Sequence, residues 1–203
     1  MSTTNCMIEI STRYACRRFA AQDVEYELLR AVLEAGRLAP SGFGLEPWRF
    51  LVVQETSLRE QVAEACFSQA PASTAPVLIV LVALVEALHP DTAFVKRQLE
   101  VEAGEGDPAP VMETYRAFYE SADIAAWAVG QCQIAAAFMM VEAVHQQLAT
   151  CPIGGFDEQK LTTALNLLAG EKPALVLALG YCADPQGARH RRAVAEVVRY
   201  LGG

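Results

Sequence analysis

Residues 124–141 run for eighteen positions without a charge, and this stretch narrows the possible folds more than any other part of the chain. Eighteen apolar positions reach the lower limit for a helix that crosses a bilayer. Three features weigh against that use. Gln131 and Gln133 stand near the middle, alanine rather than leucine dominates, and the flanks are Asp123 and Glu142, with no Lys or Arg close enough to orient an inserted helix. A helix that is apolar all round then belongs in a protein core or an interface. Composition points the same way. With 53% hydrophobic residues and a mean hydropathy of +0.21, the chain holds apolar surface that must face either lipid or another subunit. A formal charge of −8, from 16 basic and 24 acidic residues, repels phosphate backbones and anionic lipid. Neither a nucleic-acid partner nor a membrane is expected.

No repeat, low-complexity tract or linker divides residues 1–203, so a single domain is expected. Asp23 is placed to cap a helix carrying Val24, Leu28, Leu29, Val32, Leu33 and Ala35 at helical spacing, which ends before Pro40. Residues 49–54 read as a strand, and Ser57-Leu58-Arg59-Glu60 as a capping box opening a short helix. After a breaker stretch at residues 68–76, the continuous apolar run 77–84 reads as a buried central strand. Residues 85–120 mix acidic, Pro-Gly and helical pieces in the manner of an insertion or lid. The uncharged helix continues to about residue 149, and Phe156 is spaced to staple onto Leu161 across an Asp157 cap. A third strand is expected at 174–182 and an amphipathic segment at 193–201. Strands separated by a larger share of helix give an α/β or α+β sheet domain.

Candidate chemistry is sparse. The six cysteines, Cys6, Cys16, Cys66, Cys132, Cys151 and Cys182, form no CxxC pair and have no His at ligand spacing, so no metal site is expected. The start of the chain lacks a basic stretch followed by an apolar run, which leaves six reduced thiols in a cytoplasmic protein as the expectation. Cys151 precedes Pro152 and two glycines, yet nothing sets His89, His145 or His190 beside it as a base. Six of the sixteen basic residues fall in two short stretches: Arg13, Arg17 and Arg18, then Arg189, Arg191 and Arg192. They form either two solvated faces or a site for a small phosphorylated ligand, which arginine forks bind bidentately. The loop at residues 39–48 has two Gly and two Pro. Gly42-Phe43-Gly44 is no dinucleotide fingerprint, since it lacks the third glycine and follows a helix, and no GK[ST] phosphate loop occurs. Pro40-Ser41-Gly42 offers instead a backbone that can approach a flat ligand, and Gly154-Gly155 a bare corner of N–H donors.

Three segments taken in order, Arg13-Tyr-Ala-Cys-Arg-Arg-Phe19, residues 39–50 with the pattern Pro-Ser-x-x-x-x-x-Pro-Trp-x-Phe, and Cys151-Pro-Ile-Gly-Gly-Phe-Asp157, resemble the FMN-dependent nitroreductase family, as does the basic tail. The resemblance implies an α+β, nitroreductase-like three-layer sandwich, with a central, mostly antiparallel sheet flanked by helices, in an intertwined homodimer. It implies FMN as cofactor and NADH or NADPH as electron donor. Electrons would pass by a ping-pong mechanism to a nitroaromatic, quinone or related small-molecule acceptor. A specialised reaction such as flavin cleavage or reductive dehalogenation would leave the same motifs, as would a non-catalytic flavin-binding protein.

By the same resemblance Arg13, Tyr14, Ala15 and Arg17 hold the cofactor, with Arg17 near the pyrimidine edge of the ring, where a fixed cation tunes the flavin. Pro40, Ser41 and Gly42 match the loop lent by the partner subunit, and Gln69 an amide that hydrogen-bonds the flavin. Pro152, Ile153, Gly154 and Gly155 match the segment whose N–H groups face the reactive nitrogen, so Arg17, Gly154 and Gly155 are the catalytic candidates. His190 and Arg192 fall where a Lys-x-Arg pair grips the phosphate. Ala15, Gly42, Gly44, Gly154 and His190 depart from the family's frequent Ser, Ser, Asn, Glu and Lys. At Gly154 the contact is through backbone and the loss is small, whereas at Ala15 and His190 a side-chain bond is missing. Arg189 and Arg191 are the available substitutes for the lysine.

Overall fold

A strand with water on one side alternates apolar and polar residues, and Val77–Leu84 does not alternate because both its faces are covered. The computed structural model describes residues 6–184, 187 and 189–202. In chain order these form α1 (Ile8–Thr12), α2 (Tyr26–Arg37), β1 (Trp48–Val53), α3 (Thr56–Ala65), α4 (Ala70–Thr74), β2 (Val77–Leu84), α5 (Ala93–Ala103), α6 (Ala109–Ser121), α7 (Ile124–His145), β3 (Ala149–Ile153), α8 (Glu158–Ala164), β4 (Glu171–Gly180) and α9 (Val194–Val197). Single 3-10 turns lie at Gly42–Gly44 and Glu86–Leu88. The sheet order is β1-β2-β4-β3, antiparallel throughout.

The two sides of the sheet are read directly from β2. Val77, Ile79, Leu81 and Ala83 pack with Leu29 and Val32 of α2, Val95 and Leu99 of α5, Tyr115 of α6 and the inner side of α7. Leu78, Val80 and Val82 pack with Val62 of α3, Ala72 of α4 and Leu161 of α8. Strand β4 repeats the division, with Leu175, Leu177 and Leu179 on the first side and Val176 and Ala178 on the second. Each such aliphatic side chain contributes roughly 1.5–3 kcal/mol when fully buried. Where Leu81 pairs with Leu175 and Val82 with Pro173, Ala174 is left over as a bulge beside a proline that has no N–H to donate.

Helix α7 begins at Ile124, capped by the Asp123 carboxylate on the N–H of Ala126 at 3.0 Å. Its buried positions are Ala128, Cys132, Ala135, Ala136, Met139 and Ala143, mostly small, so the helix lies close against the sheet and α2. By length and composition α7 is long and apolar enough to cross a bilayer, but one side of it is core while Ile134 and Phe138 are exposed on the other.

Several expected boundaries move. Helix α2 starts at Tyr26 without a side-chain cap; Val24 is buried ahead of it, which keeps the entering chain extended and takes Asp23 out of capping position. The α3 cap is Glu55, whose carboxylate accepts the N–H groups of Ser57 and Leu58 at 2.9 and 2.8 Å. A short helix, α4, occupies part of the breaker stretch, and β4 opens at Glu171. The long helix stops at His145, and residues 149–153 form a further strand that tolerates Pro152 because it lies at the sheet edge. The Asp157 cap is present, on the N–H of Lys160. The tail has only the four-residue α9, with Val194, Tyr200 and Leu201 exposed.

The expectation of six reduced thiols is corrected: Cys16 and Cys182 form a disulfide. Pairing of Phe19 with Cys182 brings the Cα atoms of Cys16 and Cys182 to 5.7 Å, and a separation of 166 residues hides the two cysteines from a reading of spacing. Cys6, Cys66, Cys132 and Cys151 are free.

Gly36 permits the approach of α2 to α7, since a Cβ there would meet Met139 Cε at 2.2 Å and Cγ at 2.8 Å. Alanine gains about 1 kcal/mol of helix propensity but overpacks the contact, at a cost of about 1–3 kcal/mol. The Gly36→Ala variant is therefore expected to melt below wild type by circular dichroism; a higher Tm would mean that Met139 yields freely.

Candidate active site

As an edge strand, β3 has one row of backbone groups in need of partners. The N-terminal segment provides them: the N–H of Cys16 donates to the Thr150 carbonyl at 3.0 Å, and Ala15 bridges Thr150 in the parallel sense. Its far side is tied to the end of β4, through Ala20 N–H to Tyr181 O, Ala183 N–H to Arg18 O and the disulfide. Held on both sides, the segment sets Arg13, Tyr14, Ala15 and Arg17 along the β3 edge. Arg17 turns its guanidinium to the strand, with Nη1 3.8 Å from Cys151 Sγ.

Beyond Ile153 the strand gives way to Gly154 and Gly155, both exposed, and among the described residues neither N–H is taken by a backbone acceptor. Gln69, at the N-cap of α4, donates its amide to the carbonyls of Gly155 and Cys66, each at 2.9 Å. A side-chain amide thus fixes this backbone corner. A Cβ on Gly154 would meet nothing within 4 Å, and one on Gly155 only Gln69 Nε2 at 3.7 Å, so the space in front of both is open.

The two basic stretches do meet, through Arg13, Arg189 and Arg191 rather than through the His190 and Arg192 pair. Burial, and next the charges of Arg189 and Arg191, hold Arg13 below the usual arginine value. Arg189 Nη1 donates to the carbonyls of Ile10, at 3.0 Å, and Ser11 at the end of α1. His190 and Arg192 are exposed in the tail.

Pro40, Ser41 and Gly42 lie elsewhere, against the α5–α7 layer. The Gly42 N–H donates to Gln131 Oε1 at 2.9 Å, and Ser41 Oγ accepts from the Glu46 N–H at 2.8 Å. Residues 85–120, expected as a lid, supply α5 and α6 beneath this loop. The anchoring role of Gln131 was not read from the sequence, where its one signal was an amide, shared with Gln133, inside an uncharged helix.

Cys151 is not an activated nucleophile. Burial pushes its thiol up, and the Arg17 and Arg13 charges offset this only in part. Burial alone takes Cys66 to about 11, and it dominates the rise of Cys132 to about 12.

A helix-covered antiparallel sheet with an arginine-bearing segment and a diglycine corner on one edge defines an α+β sandwich of the flavin-oxidoreductase type. A sequence model described as the Nitroreductase family matches residues 10–181. An NADH dehydrogenase of Thermus thermophilus is 31% identical over 194 residues, covering 92% of this chain and 91% of its own. A Staphylococcus epidermidis protein named as an NAD(P)H nitroreductase is 33% identical over 192 residues, covering 88% and 87%. Among solved structures, a nitroreductase-like protein of Streptococcus mutans superposes with a TM-score of 0.84 at 22% identity, over 96% of each chain. A nitroreductase of Exiguobacterium sibiricum, in complex with FMN, gives 0.80 at 21%, over 99% of each. The chain belongs to the nitroreductase family, and it is an oxidoreductase.

The thiol environments give a direct test. At pH 8 and without reductant, iodoacetamide followed by peptide mass spectrometry is expected to label Cys6 rapidly and to leave Cys66, Cys132 and Cys151 protected. Rapid labelling of Cys151 would restore it as a nucleophile.

Proposed function

We propose that the chain binds FMN, takes hydride from NADH or NADPH, and passes the electrons in alternating half-reactions to a nitroaromatic, quinone or related acceptor. The observation that carries this reading is the β3 edge, where one strand end assembles Arg17, Gln69 and the open Gly154-Gly155 backbone. A flat ring needs backbone donors it can approach closely, and the missing Cβ atoms at 154 and 155 leave that approach clear. When bound, FMN supplies the hydride acceptance and donation itself, which is consistent with a site that has no acid–base pair.

The chain's own residues do the rest. Arg17 holds a fixed positive charge against the strand, where negative charge on a reduced ring would be favoured. Gly154 and Gly155 offer N–H donors, and Gln69 keeps their loop in place through the Gly155 carbonyl. Arg13, Arg189 and Arg191 repel one another unless an anion lies among them, which suits a phosphate group and puts Arg189 and Arg191 in the part first given to His190 and Arg192. Tyr14, Ala15, Pro152 and Ile153 line the same edge through backbone.

We assign residues 1–203 to one FMN-binding domain that works as a homodimer, without nucleic acid or membrane, in the cytoplasm where nicotinamide dinucleotides are supplied. The exposed Ile134 and Phe138 of α7 suit burial against a second copy. Pro40, Ser41 and Gly42 would then serve the partner's site. The FMN complex of the Exiguobacterium neighbour and the nucleotide-linked names of the relatives support the cofactor pair.

Purified protein is expected to be yellow, to oxidise NADH or NADPH, and to scatter light as a dimer. Colourless protein that takes up no added FMN would sink the reading, and a stable flavin-loaded monomer would remove its assembly. Arg17→Ala is expected to slow flavin reduction in stopped flow by more than it weakens FMN retention; the reverse pattern would reassign Arg17 to holding the cofactor.

A further inference from the structure

We infer that Gln131 and Trp127 of α7 are positioning residues that hold the Pro40-Ser41-Gly42 loop, and that through it they act on the flavin site of the other subunit. The inference deepens the functional reading above and rests on it. It begins from an anomaly in α7: a half-buried amide, Gln131, in a helix that is uncharged over eighteen residues and whose other amide there, Gln133, is exposed. Its carbonyl oxygen has one clear use, accepting the Gly42 N–H at 2.9 Å. One helical turn earlier, the Trp127 indole packs against the same glycine, since a Cβ on Gly42 would sit 2.9 Å from its Cζ2. The amide and the indole together fix the height of the loop above α7, and the absence of a side chain at residue 42 is part of the fit.

The next residues are held just as firmly. Phe43 adopts φ 57, a left-handed conformation costly for a bulky residue. Its ring is seated between Tyr115 at 5.2 Å and Phe118 at 5.4 Å, and Phe118 in turn meets Trp127 edge-on at 5.4 Å. The Tyr115 hydroxyl donates to the Leu88 carbonyl at 2.5 Å, and Gln98 Nε2 donates to the Gly44 carbonyl at 3.3 Å. Residues 42–45 are thereby absorbed into packing. Pro40 stays exposed, while Ser41, like residues 42–44, is half-buried, so of residues 40–45 Pro40 is the one the loop presents most fully outward. Gln131 lies one turn from Ile134 on the same rigid helix, so docking α7 against a second copy also sets where the loop falls relative to that copy.

Gln131→Leu removes the acceptor at similar volume, and Gln131→Glu keeps one. The homodimeric Gln131→Leu enzyme should bind FMN roughly five- to tenfold more weakly, as expected for one lost hydrogen bond that leaves an N–H unpaired, with Gln131→Glu restoring most of the loss. The decisive readout is a dimer carrying Gln131→Leu on one subunit and Arg17→Ala on the other. Action across the interface leaves one site free of lesions, giving about half the wild-type NAD(P)H oxidation at the wild-type KM. Action within the subunit leaves a lesion in both sites and no component with that KM, which would overturn the inference, as would a Gln131→Leu homodimer equal to wild type. Gly42→Ala, which drives a Cβ into Trp127 and spares Gln131, should reproduce the cross-interface pattern; it serves as the test if Gln131→Leu does not fold. Wild-type protein that takes up no FMN would overturn the functional reading, and this inference with it. A flavin-loaded wild type with the within-subunit pattern would overturn the positioning role alone.

Discussion

Covering both faces of β2 and β4 is the constraint on which the rest of the structure depends. Neither strand has a polar side to give to water, so helices must lie above and below the sheet, and they do: α2, α5, α6 and α7 on one side, α3, α4 and α8 on the other. Once the faces are sealed, backbone and ligand can meet only at the edges. The N-terminal segment takes the β3 edge, and that pairing delivers arginines to the sheet margin. The candidate active site is thus a by-product of how the edge strand satisfies its hydrogen bonds.

Helix α7 meets a different requirement. Its inner positions are small enough to lie on the sheet, while its outer side keeps Ile134 and Phe138 exposed. A run of apolar residues larger than one core needs is understandable when the same helix packs on the sheet, keeps large apolar side chains exposed on its outer side and anchors a loop. Gln131 is its half-buried amide, and its partner is a backbone N–H from a loop distant in sequence. The Cys16–Cys182 disulfide works in the same spirit at the other end of the fold, tying the arginine-bearing segment to the last strand.

Legibility in the sequence followed the range of the interaction. The β2 strand, the Asp123 start of α7 and the Asp157 cap were readable because each is decided within a few residues. Strand β3 was not: five residues with an internal proline directly after a long helix carry too little periodicity, and only the edge position and pairing with β4 make a strand of them. Asp23 was a plausible cap displaced by the burial of Val24, a tertiary preference that local chemistry does not encode. Of the candidate site residues, Arg13, Arg17, Gln69 and the diglycine were named from motif order, and all lie along the β3 edge. All four of Arg189, His190, Arg191 and Arg192 are exposed, and it is Arg189 and Arg191 whose charges act on Arg13, since the path of the tail rather than its spacing selects which cations arrive.

By itself the sequence determined which segments had to be buried and which family pattern they carry, because burial and turn chemistry are written in residue type and local order. Only the tertiary structure decided what those segments meet: that Cys16 finds Cys182, that Gly42 rests on Trp127 and bonds to Gln131, and that Gln69 clasps Gly155. These contacts join residues many tens of positions apart. Their partners are chosen by how helices pack across a shared sheet, which no local pattern of residue types can specify.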